Sequence, residues 1–231
     1  MLKVYIGFDP AEAEAYRVAE ASLRRRASIP VDVTPLRADA LAASGLLRRP
    51  ADARGGQLYD LRSNAPQATE FAISRFLVPM LAQTGWALFM DCDMVVLGDV
   101  AGLLAAADPT KALQVVKHQH QPAAADKMMG KTQTQYSRKN WSSVILWNCD
   151  HPAHRRLSLD AINHWPGRDL HAFQWLHDSE IGELAAGWNW LVNEQPRPDP
   201  LHIAHFTNGG PWFAGWPGAA HDDIWLNEAH A

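Results

Sequence analysis

The stretch of sequence that decides the fold is Trp86-Ala87-Leu88-Phe89-Met90-Asp91-Cys92-Asp93-Met94-Val95-Val96-Leu97. A run of apolar residues this short, interrupted at its middle by two carboxylates, predicts a buried strand that delivers acids to the edge of a sheet. In extended backbone, side chains two positions apart share a face, so Asp91 and Asp93 should point one way and Cys92 the other. Two anionic groups beside apolar residues repel each other unless a cation or a protein partner compensates them. The stretch therefore predicts a functional site as well as a strand.

Length and composition predict one α/β domain over residues 1–231, because the chain can bury one substantial core and contains no obvious linker. The hydrophobic share of 47% is that of a globular protein. Lysine and arginine number 21 against 25 acidic residues, a net charge of -4, so no general basic field favours nucleic acid as a partner. Any phosphate binding must be local.

The cysteines and the N-terminus indicate a cytoplasmic location. Cys92 and Cys149, the two cysteines, lie in apolar strand-like runs without metal-ligand spacing, which predicts buried, reduced thiols in a reducing compartment. The first eight residues are typical of a strand and not of a signal peptide. No stretch is apolar for long enough to span a bilayer, so we expect a soluble protein, or at most one peripheral to a membrane.

The N-terminal third begins as a β-α-β unit, with a strand at 2–8, a helix at 11–26 and a second strand at 29–36. Such a unit implies a right-handed crossover and a parallel pair of strands. The first strand is not followed by G-x-G-x-x-G, so a dinucleotide pyrophosphate is not expected there. Asp9 at this turn suits a nucleobase or ribose that donates hydrogen bonds, and it equally suits a helix N-cap.

Two further segments suggest binding functions. Residues 44–67 contain several glycines, prolines and arginines, which predicts either a lid or binding loop or a solvated surface loop. Residues 69–83 have helical periodicity, and Pro79 should kink that helix or begin a new first turn. Arg75 within it needs a partner, and the carboxylate strand or a phosphate near it is the expected one.

Histidines and a glycine-containing loop offer other candidate sites. His118 and His120 share one side of a strand end, but without a third ligand nearby a surface position is favoured. The segment 125–132 mimics a phosphate loop, and we discount it because the strand-loop-helix context is missing. In the last strand, 201–206, His202 and His205 face opposite sides, so only one of them can join a shared site.

Several motifs resemble, in order and across nearly the whole chain, those of the GT-A glycosyltransferases, specifically the glycogenin-like family 8 and its bacterial galactosyl- and glucosyltransferase members. The matching pieces are Val4-Tyr5-Ile6-Gly7-Phe8-Asp9, Ser74-Arg75-Phe76-Leu77-Val78-Pro79, Phe89-Met90-Asp91-Cys92-Asp93, Asn140-Trp141-Ser142-Ser143-Val144-Ile145-Leu146-Trp147-Asn148, Trp188-Asn189 and His205-Phe206-Thr207-Asn208-Gly209-Gly210-Pro211-Trp212.

This resemblance implies a single GT-A, Rossmann-like domain with a mostly parallel mixed sheet flanked by helices. It implies a hexosyltransferase that moves a sugar, with retention of configuration, from a nucleotide-sugar donor such as a UDP-sugar. The acceptor would be a glycan or glycolipid, as in bacterial polysaccharide biosynthesis.

The resemblance also implies roles for individual residues. Asp91, Asp93 and His205 would hold a divalent metal against the donor diphosphate, and the imidazole favours Mn²⁺ over Mg²⁺. The residues that would bind the nucleotide sugar are Phe8, Asp9, Tyr16, Arg75, Cys92 and Gly209. Asp178 would lie near the reacting sugar, with Gln174 as a second catalytic candidate. Trp188, Trp190 and Trp212, with Trp216, would hold the acceptor, although core packing is an equal alternative for each ring.

Two positions depart from the family pattern. Ser179 stands where the family has glutamine beside the acid, which leaves the catalytic residue open. Gly210 stands where the family has a lysine before the final Pro-Trp, so a diphosphate cation is missing. Arg54, Arg62 or Lys139 would have to replace it.

Three other functions compete with a glycosyltransferase. A glycoside hydrolase with Asp91 and Asp93 as its carboxylate pair gives no reason for His205. A non-enzymatic nucleotide- or carbohydrate-binding module would explain the lost lysine as lost catalysis. A nucleotidyltransferase is disfavoured because the glycine-rich N-terminal phosphate loop is absent.

Overall fold

A computed structural model describes residues 1–119, 126, 127, 131, 132 and 138–231. The strands are β1 (Leu2–Phe8), β2 (Val31–Arg37), β3 (Ala51–Arg54), β4 (Gln57–Asp60), β5 (Ala65–Gln67), β6 (Trp86–Met90), β7 (Met94–Val96), β8 (Leu113–Val115), β9 (Asp126–Lys127), β10 (Lys131–Thr132), β11 (Val144–Asn148), β12 (Ile181–Glu183), β13 (Trp190–Leu191) and β14 (Ile203–His205). The α-helices are α1 (Ala13–Arg26), α2 (Ala38–Ala43), α3 (Val78–Ala82), α4 (Ala101–Ala105), α5 (Leu159–His164), α6 (Gly167–His171) and α7 (Asp222–Ala229). His120 lies outside the described residues, as does the loop at 125–132 apart from β9 and β10.

A six-stranded mixed sheet forms the centre of the protein, in the order β12-β8-β11-β6-β1-β2. Strand β1 pairs in parallel with β2 and β6, and β12 pairs in parallel with β8. Strand β11 runs antiparallel to its neighbours β6 and β8. The predicted mostly parallel mixed sheet and the β-α-β beginning are confirmed.

The first helix follows from its sequence as predicted. Pro10 begins a short 3-10 turn, and the Asp9 carboxylate caps it by accepting a hydrogen bond of 2.9 Å from the Ala11 N–H. Helix α1 then buries an apolar stripe that includes Val18, Ala19 and Leu23, all fully buried. The N-cap alternative for Asp9 is therefore confirmed.

The stretch around Asp91 and Asp93 is two strands, and the prediction of one continuous strand is wrong. Strand β6 lies in the central sheet, whereas β7 pairs antiparallel with β14 in a separate three-stranded sheet, β13-β14-β7. Between them, the N–H of Asp91 donates to Ser143 O at 3.0 Å and the carbonyl of Asp93 accepts from Phe206 N at 2.9 Å. The backbone changes partners here, so both acids lie where two sheets meet.

The segment 44–67 is also more ordered than predicted. It contains a small antiparallel sheet, β3-β4-β5, where the sequence predicted a loop. The buried side chain of Arg49 links this sheet to the rest of the protein. It forms an ion pair with Asp60 and donates to the carbonyls of Ile162 and Trp165 at 2.9 Å. A buried arginine needs such partners, which rigidify the segment.

The predicted helix at 69–83 is shorter than its periodicity suggests. A 3-10 turn at Ser74–Leu77 leads into α3, and Pro79 occupies the first turn of α3, as predicted. Among the described residues, the helices are all too short or too polar to cross a membrane.

Candidate metal centre and adjoining cavity

Three predicted metal ligands, Asp91, Asp93 and His205, come together in the structure. One ligand atom from each lies within 4.8 Å of the others. The two carboxylates come from the crossing between β6 and β7, and His205 ends β14, which pairs with β7. The histidine Nε2 is 3.3 Å from Asp93 Oδ1. The group has the oxygen and nitrogen donors that suit a divalent transition metal.

The hydrogen bonds around Asn189 set the proton position on His205. The Asn189 amide nitrogen donates to Ser143 Oγ at 2.8 Å and to Asn140 O at 3.2 Å. Its oxygen therefore faces His205 Nδ1, at 2.9 Å, and can only accept. In the neutral imidazole Nδ1 then carries the hydrogen, and the lone pair of Nε2 is directed towards Asp93. An imidazole lone pair and a carboxylate this close together offer two electron-pair donors to a divalent cation.

Arg75 is the partner of the carboxylates, as predicted. Its Nη1 lies 3.0 Å from Asp91 Oδ1 and donates to Ser142 O at 2.7 Å. Its Nε donates to Ala72 O at 3.0 Å, and the guanidinium lies over the Phe89 ring, 4.8 Å from the centroid. Because Arg75 is only 5% exposed, it holds Asp91 in one orientation.

A cavity of about 350 Å³ adjoins this group. That volume is in the range of small-molecule sites. Its lining includes the three ligands, Arg75 and residues from three other regions. The other lining residues are Asp60, Ser63, Asn64, Ala65, Pro66, Gln67, Ala68, Thr69, Phe71, Ala72, Ile73, Lys139, Asn140, Ser142, Ser143, Pro166, Gly167, Arg168, His171 and Thr207.

His171 lies in the cavity wall with its Nδ1 2.7 Å from Ser142 Oγ. Burial, with the nearby charges of Arg75 and Arg49, lowers the pKa of His171 well below its usual value of 6.5. The imidazole is therefore neutral at neutral pH. It adds hydrogen-bonding capacity to the wall without adding charge.

Of the residues predicted to bind the nucleotide sugar, Arg75 lines the cavity, whereas Phe8, Asp9 and Tyr16 are outside its lining. Phe8 and Tyr16 are half-buried and meet edge to face at 5.3 Å, and the Arg37 guanidinium lies 4.5 Å from the Phe8 ring centroid. Both oxygens of Asp9 accept backbone hydrogen bonds, from Ala11 N and from Glu70 N at 3.1 Å. If Asp9 binds a base, its oxygens must accept further hydrogen bonds beside these two or give these two up.

Cys92 and Gly209 can offer only backbone atoms to a nucleotide sugar. The Cys92 side chain is fully buried, opposite the carboxylates. Burial raises the pKa of its thiol well above 9.0, so the thiol stays protonated. Gly209 has a φ of 104°, a conformation that favours glycine.

The two predicted catalytic residues lie outside the described lining of the cavity. The side chain of Asp178 is 89% exposed and forms an ion pair of 2.5 Å with Arg138. Gln174 is exposed, and its backbone N–H donates to Asp169 O. Their role at the reacting sugar stays a prediction, and their positions give it no support.

The tryptophans predicted to hold an acceptor pack mainly in the core. Trp188 is 5% exposed and stacks on His202 at 4.2 Å, and Trp190 is 2% exposed and donates to Gln195 O at 3.0 Å. Trp212 is half-buried against Phe206 and Trp225. The core-packing alternative describes Trp188 and Trp190, which have no surface to offer a sugar ring.

Sequence reasoning missed several residues of this site and misplaced one. Asn189 and Ser142 occur only within the motifs and His171 lies in none of them, because a polar residue that acts through another side chain leaves no spacing signal. His118 is buried, so its predicted surface position is wrong. Burial, with His205 nearby, lowers the pKa of His118 to about 4.

The sequence is similar to a plant protein. Protein CDI of Arabidopsis thaliana is 41% identical over 233 residues, an alignment that covers 98% of this chain and 85% of that protein. No protein-family model matches the sequence.

Several solved structures have the same fold at low sequence identity. The glycosyltransferase GlyE of Streptococcus pneumoniae superposes with a TM-score of 0.59 at 12% identity, over 99% of this chain and 60% of GlyE. This chain thus spans about three fifths of the length of GlyE. The galactosyltransferase LgtC, solved with donor and acceptor sugar analogues, gives 0.59 at 12% identity over 99% of this chain and 95% of LgtC. Mouse xyloside xylosyltransferase 1 gives 0.53 at 12% identity over 91% of this chain. The predicted GT-A fold is confirmed.

Proposed function

Since the chain belongs to the same protein family as Protein CDI of Arabidopsis thaliana and has the GT-A fold, we propose that it is a metal-dependent glycosyltransferase that uses a nucleotide sugar. Within this fold, its motifs resemble the glycogenin-like family 8. The donor we propose is a UDP-sugar, the transferred group a hexose and the outcome retention of configuration. The acceptor is a glycan or glycolipid.

The observation that carries the proposal is the group of Asp91, Asp93 and His205 at the wall of the cavity. The hydrogen bond from His205 Nδ1 to Asn189 leaves the Nε2 lone pair directed at Asp93, which is the tautomer that a metal-binding histidine needs. Arg75 holds Asp91 on the other side. Such a supported ligand set fits a divalent ion, and the nitrogen ligand favours Mn²⁺ over Mg²⁺.

Each part of the site has a proposed task. Asp91, Asp93 and His205 would hold the ion, which when bound supplies positive charge to the leaving diphosphate. The cavity beyond them would accommodate the donor sugar and the acceptor hydroxyl. Phe8 and Tyr16 offer a half-exposed aromatic surface for the base, and Asp9 lies beside it.

Other observations weigh against the hydrolase alternative. In a hydrolase one carboxyl group must hold a proton to protonate the leaving oxygen. Asp91 lies 3.0 Å from the Arg75 guanidinium, and both carboxylates converge with His205 on one point, so neither is set apart from the other ligands as a proton donor. The pair is arranged to bind a cation.

The test is a thermal-shift screen of nucleotide sugars with and without Mn²⁺, followed by an assay of donor hydrolysis. We expect a UDP-sugar to raise the melting temperature only when Mn²⁺ is present, because ligands of the native state stabilise it. Slow, Mn²⁺-dependent release of UDP should accompany this binding.

Other results would favour a different function. Binding of UDP and Mn²⁺ without donor hydrolysis or transfer to any acceptor would indicate a binding module. Metal-independent cleavage of an oligosaccharide would indicate a hydrolase. Absence of binding to every nucleotide sugar in the screen would contradict the proposal.

A further inference from the structure

Lys139 occupies an unusual place in the chain, between two residues with left-handed backbone. Arg138 has a φ of 65° and Asn140 a φ of 63°. Asparagine tolerates this conformation, but arginine adopts it rarely, and such strained residues persist only where surrounding contacts hold them. Strained backbone of this kind is concentrated at ligand-binding sites.

Contacts on both sides hold this turn. The Arg138 Nη1 donates to Ala172 O at 2.7 Å, and its Nη2 pairs with Asp178 at 2.5 Å. The Asn140 carbonyl accepts from Ser143 Oγ at 2.7 Å and from the Asn189 amide at 3.2 Å. The turn is therefore fastened to α6 on one side and to the network around His205 on the other.

The result of this arrangement is that Lys139 lines the cavity with the metal ligands. Among the described lining residues, the other permanently cationic side chains are Arg75 and Arg168. Arg75 is engaged with Asp91, and Arg168 is 69% exposed at its side chain. Lys139 therefore adds a further positive charge to the described wall of the cavity.

The proposed reaction needs this additional charge. A divalent ion held by Asp91 and Asp93 is balanced by the two carboxylates, whereas a departing nucleoside diphosphate carries several negative charges. Arg75 alone does not neutralise the negative charges of the diphosphate.

Position 210, where the resemblance expects a lysine, has no room for a side chain. A Cβ at Gly210 would lie 2.2 Å from the Trp212 ring, and this ring is packed against Trp225. The cation must come from elsewhere. Arg54 stacks on Tyr59 at 3.8 Å, away from the described lining, and Arg62 is exposed and also outside it.

We propose that Lys139 binds the diphosphate of the nucleotide and that Asp178 is a positioning residue that acts on it through Arg138. This inference rests on the proposed function and assigns the missing cation to one residue. The Lys139 ammonium donates hydrogen bonds to phosphate oxygens, both in the bound donor and in the leaving group. Asp178 touches neither substrate nor reacting atoms.

The experiment measures binding of UDP by calorimetry in saturating Mn²⁺, with uridine as a probe that lacks phosphate. Lys139→Gln should weaken UDP binding about ten- to a hundredfold, the usual worth of hydrogen bonds to charged groups, and leave uridine binding unchanged. Lys139→Arg should recover part of the loss. Arg62→Gln removes the same charge outside the cavity and should bind UDP like the wild type.

The results separate this inference from the proposed function. If the wild type binds none of UDP, ADP, GDP and CDP with Mn²⁺, both the proposed function and the role of Lys139 are wrong. If the wild type binds UDP and Lys139→Gln binds it equally well, only the role of Lys139 is wrong. A loss in Arg62→Gln as large as that in Lys139→Gln would also contradict it.

A double-mutant cycle tests the role of Asp178. Asp178→Asn should weaken UDP binding by up to about fivefold, because an exposed ion pair contributes little, and should have no further effect in the Lys139→Gln background. If Asp178→Asn instead lowers the rate of donor hydrolysis and leaves UDP affinity unchanged, Asp178 is catalytic and its positioning role is wrong.

Discussion

Each end of β11 adjoins a cavity that is lined by metal-ligand residue types, and the two cavities use these residues differently. Before its first residue, Ser142 and Ser143 adjoin the cavity that contains Asp91, Asp93 and His205. After its last residue, a second cavity of about 260 Å³ is lined by a further set of metal-ligand residue types. These are Cys149, Asp150, His151 and His154.

At the second cavity, one side-chain atom of each of Asp150, His151 and His154 is engaged with backbone. Asp150 accepts from Gly85 N at 2.8 Å, and His151 Nδ1 accepts from Ala153 N at 3.3 Å. His154 Nε2 donates to Ala112 O at 3.0 Å. At the first cavity, in contrast, other side chains hold the ligands and orient them towards one point. Residue type alone therefore does not make a site; the partners of each polar atom decide.

The largest expected difference between the two cavities lies in catalysis. Asp93→Ala should abolish Mn²⁺-stimulated donor hydrolysis, at least about a thousandfold, since metal stabilisation of a leaving group is worth several kcal/mol. The assay is release of UDP from the donor. Asp150→Ala, the matched change at the second cavity, should keep its activity. Full activity in Asp93→Ala would refute the metal site.

The next largest effect tests how each end of β11 is supported. Asn189→Leu removes the acceptor of the His205 Nδ1 hydrogen, so Mn²⁺ affinity should fall about ten- to a hundredfold. Asn148→Leu breaks comparable buried hydrogen bonds, to Pro109 O and Lys111 O. It should lower stability and leave Mn²⁺ affinity unchanged in calorimetry. Equal Mn²⁺ affinity in the two variants would remove the distinction between the two ends.

A third prediction concerns pH and the second cavity. Burial lowers the pKa of His154 to about 4, below its usual 6.5, so the unfolded chain binds more protons between these values. Stability should therefore fall as pH drops from 6.5 towards 4, by about 2 kcal/mol for this residue between pH 7 and 5.

Urea unfolding at pH 7 and pH 5 measures this loss. His154→Gln keeps a donor for Ala112 O and does not titrate, so it should lose about 2 kcal/mol less than the wild type over this range. His164→Gln, at an exposed position, should behave like the wild type. The same loss in all three proteins would show that His154 is not responsible.

The smallest expected effect concerns the core beside the first cavity. Trp190→Phe removes the hydrogen bond to Gln195 O and should cost about 1 kcal/mol of stability in urea unfolding. Donor hydrolysis should not change, because the ring does not reach the cavity. A reduced rate of donor hydrolysis with unchanged stability would show that Trp190 contributes to the site.

Local patterns predicted the elements with strong periodicity. Strand β1 has the predicted bounds, and α1 begins after the Asp9 and Pro10 signals that cap it. Residues 44–67 were harder to predict, because Arg49 holds the small sheet there through Asp60 and through the carbonyl of Ile162 in α5, which is more than a hundred positions away in the sequence. Tertiary contacts of this kind leave no periodic pattern.

The sequence by itself determined the fold class, the β-α-β beginning, the pair Asp91 and Asp93 and the rule that only one of His202 and His205 can join a shared site. These follow from apolar periodicity, strand alternation and motif order, all of which are local. Only the tertiary structure decided that the carboxylates lie at a junction of two sheets, that Asn189 sets the proton on His205, and that Trp188 and Trp190 are core. It also brought Lys139 to the cavity and Asp178 to Arg138. The physical reason is that a side chain's role depends on which partners compensate its charge and hydrogen bonds, and folding supplies those partners from distant parts of the chain.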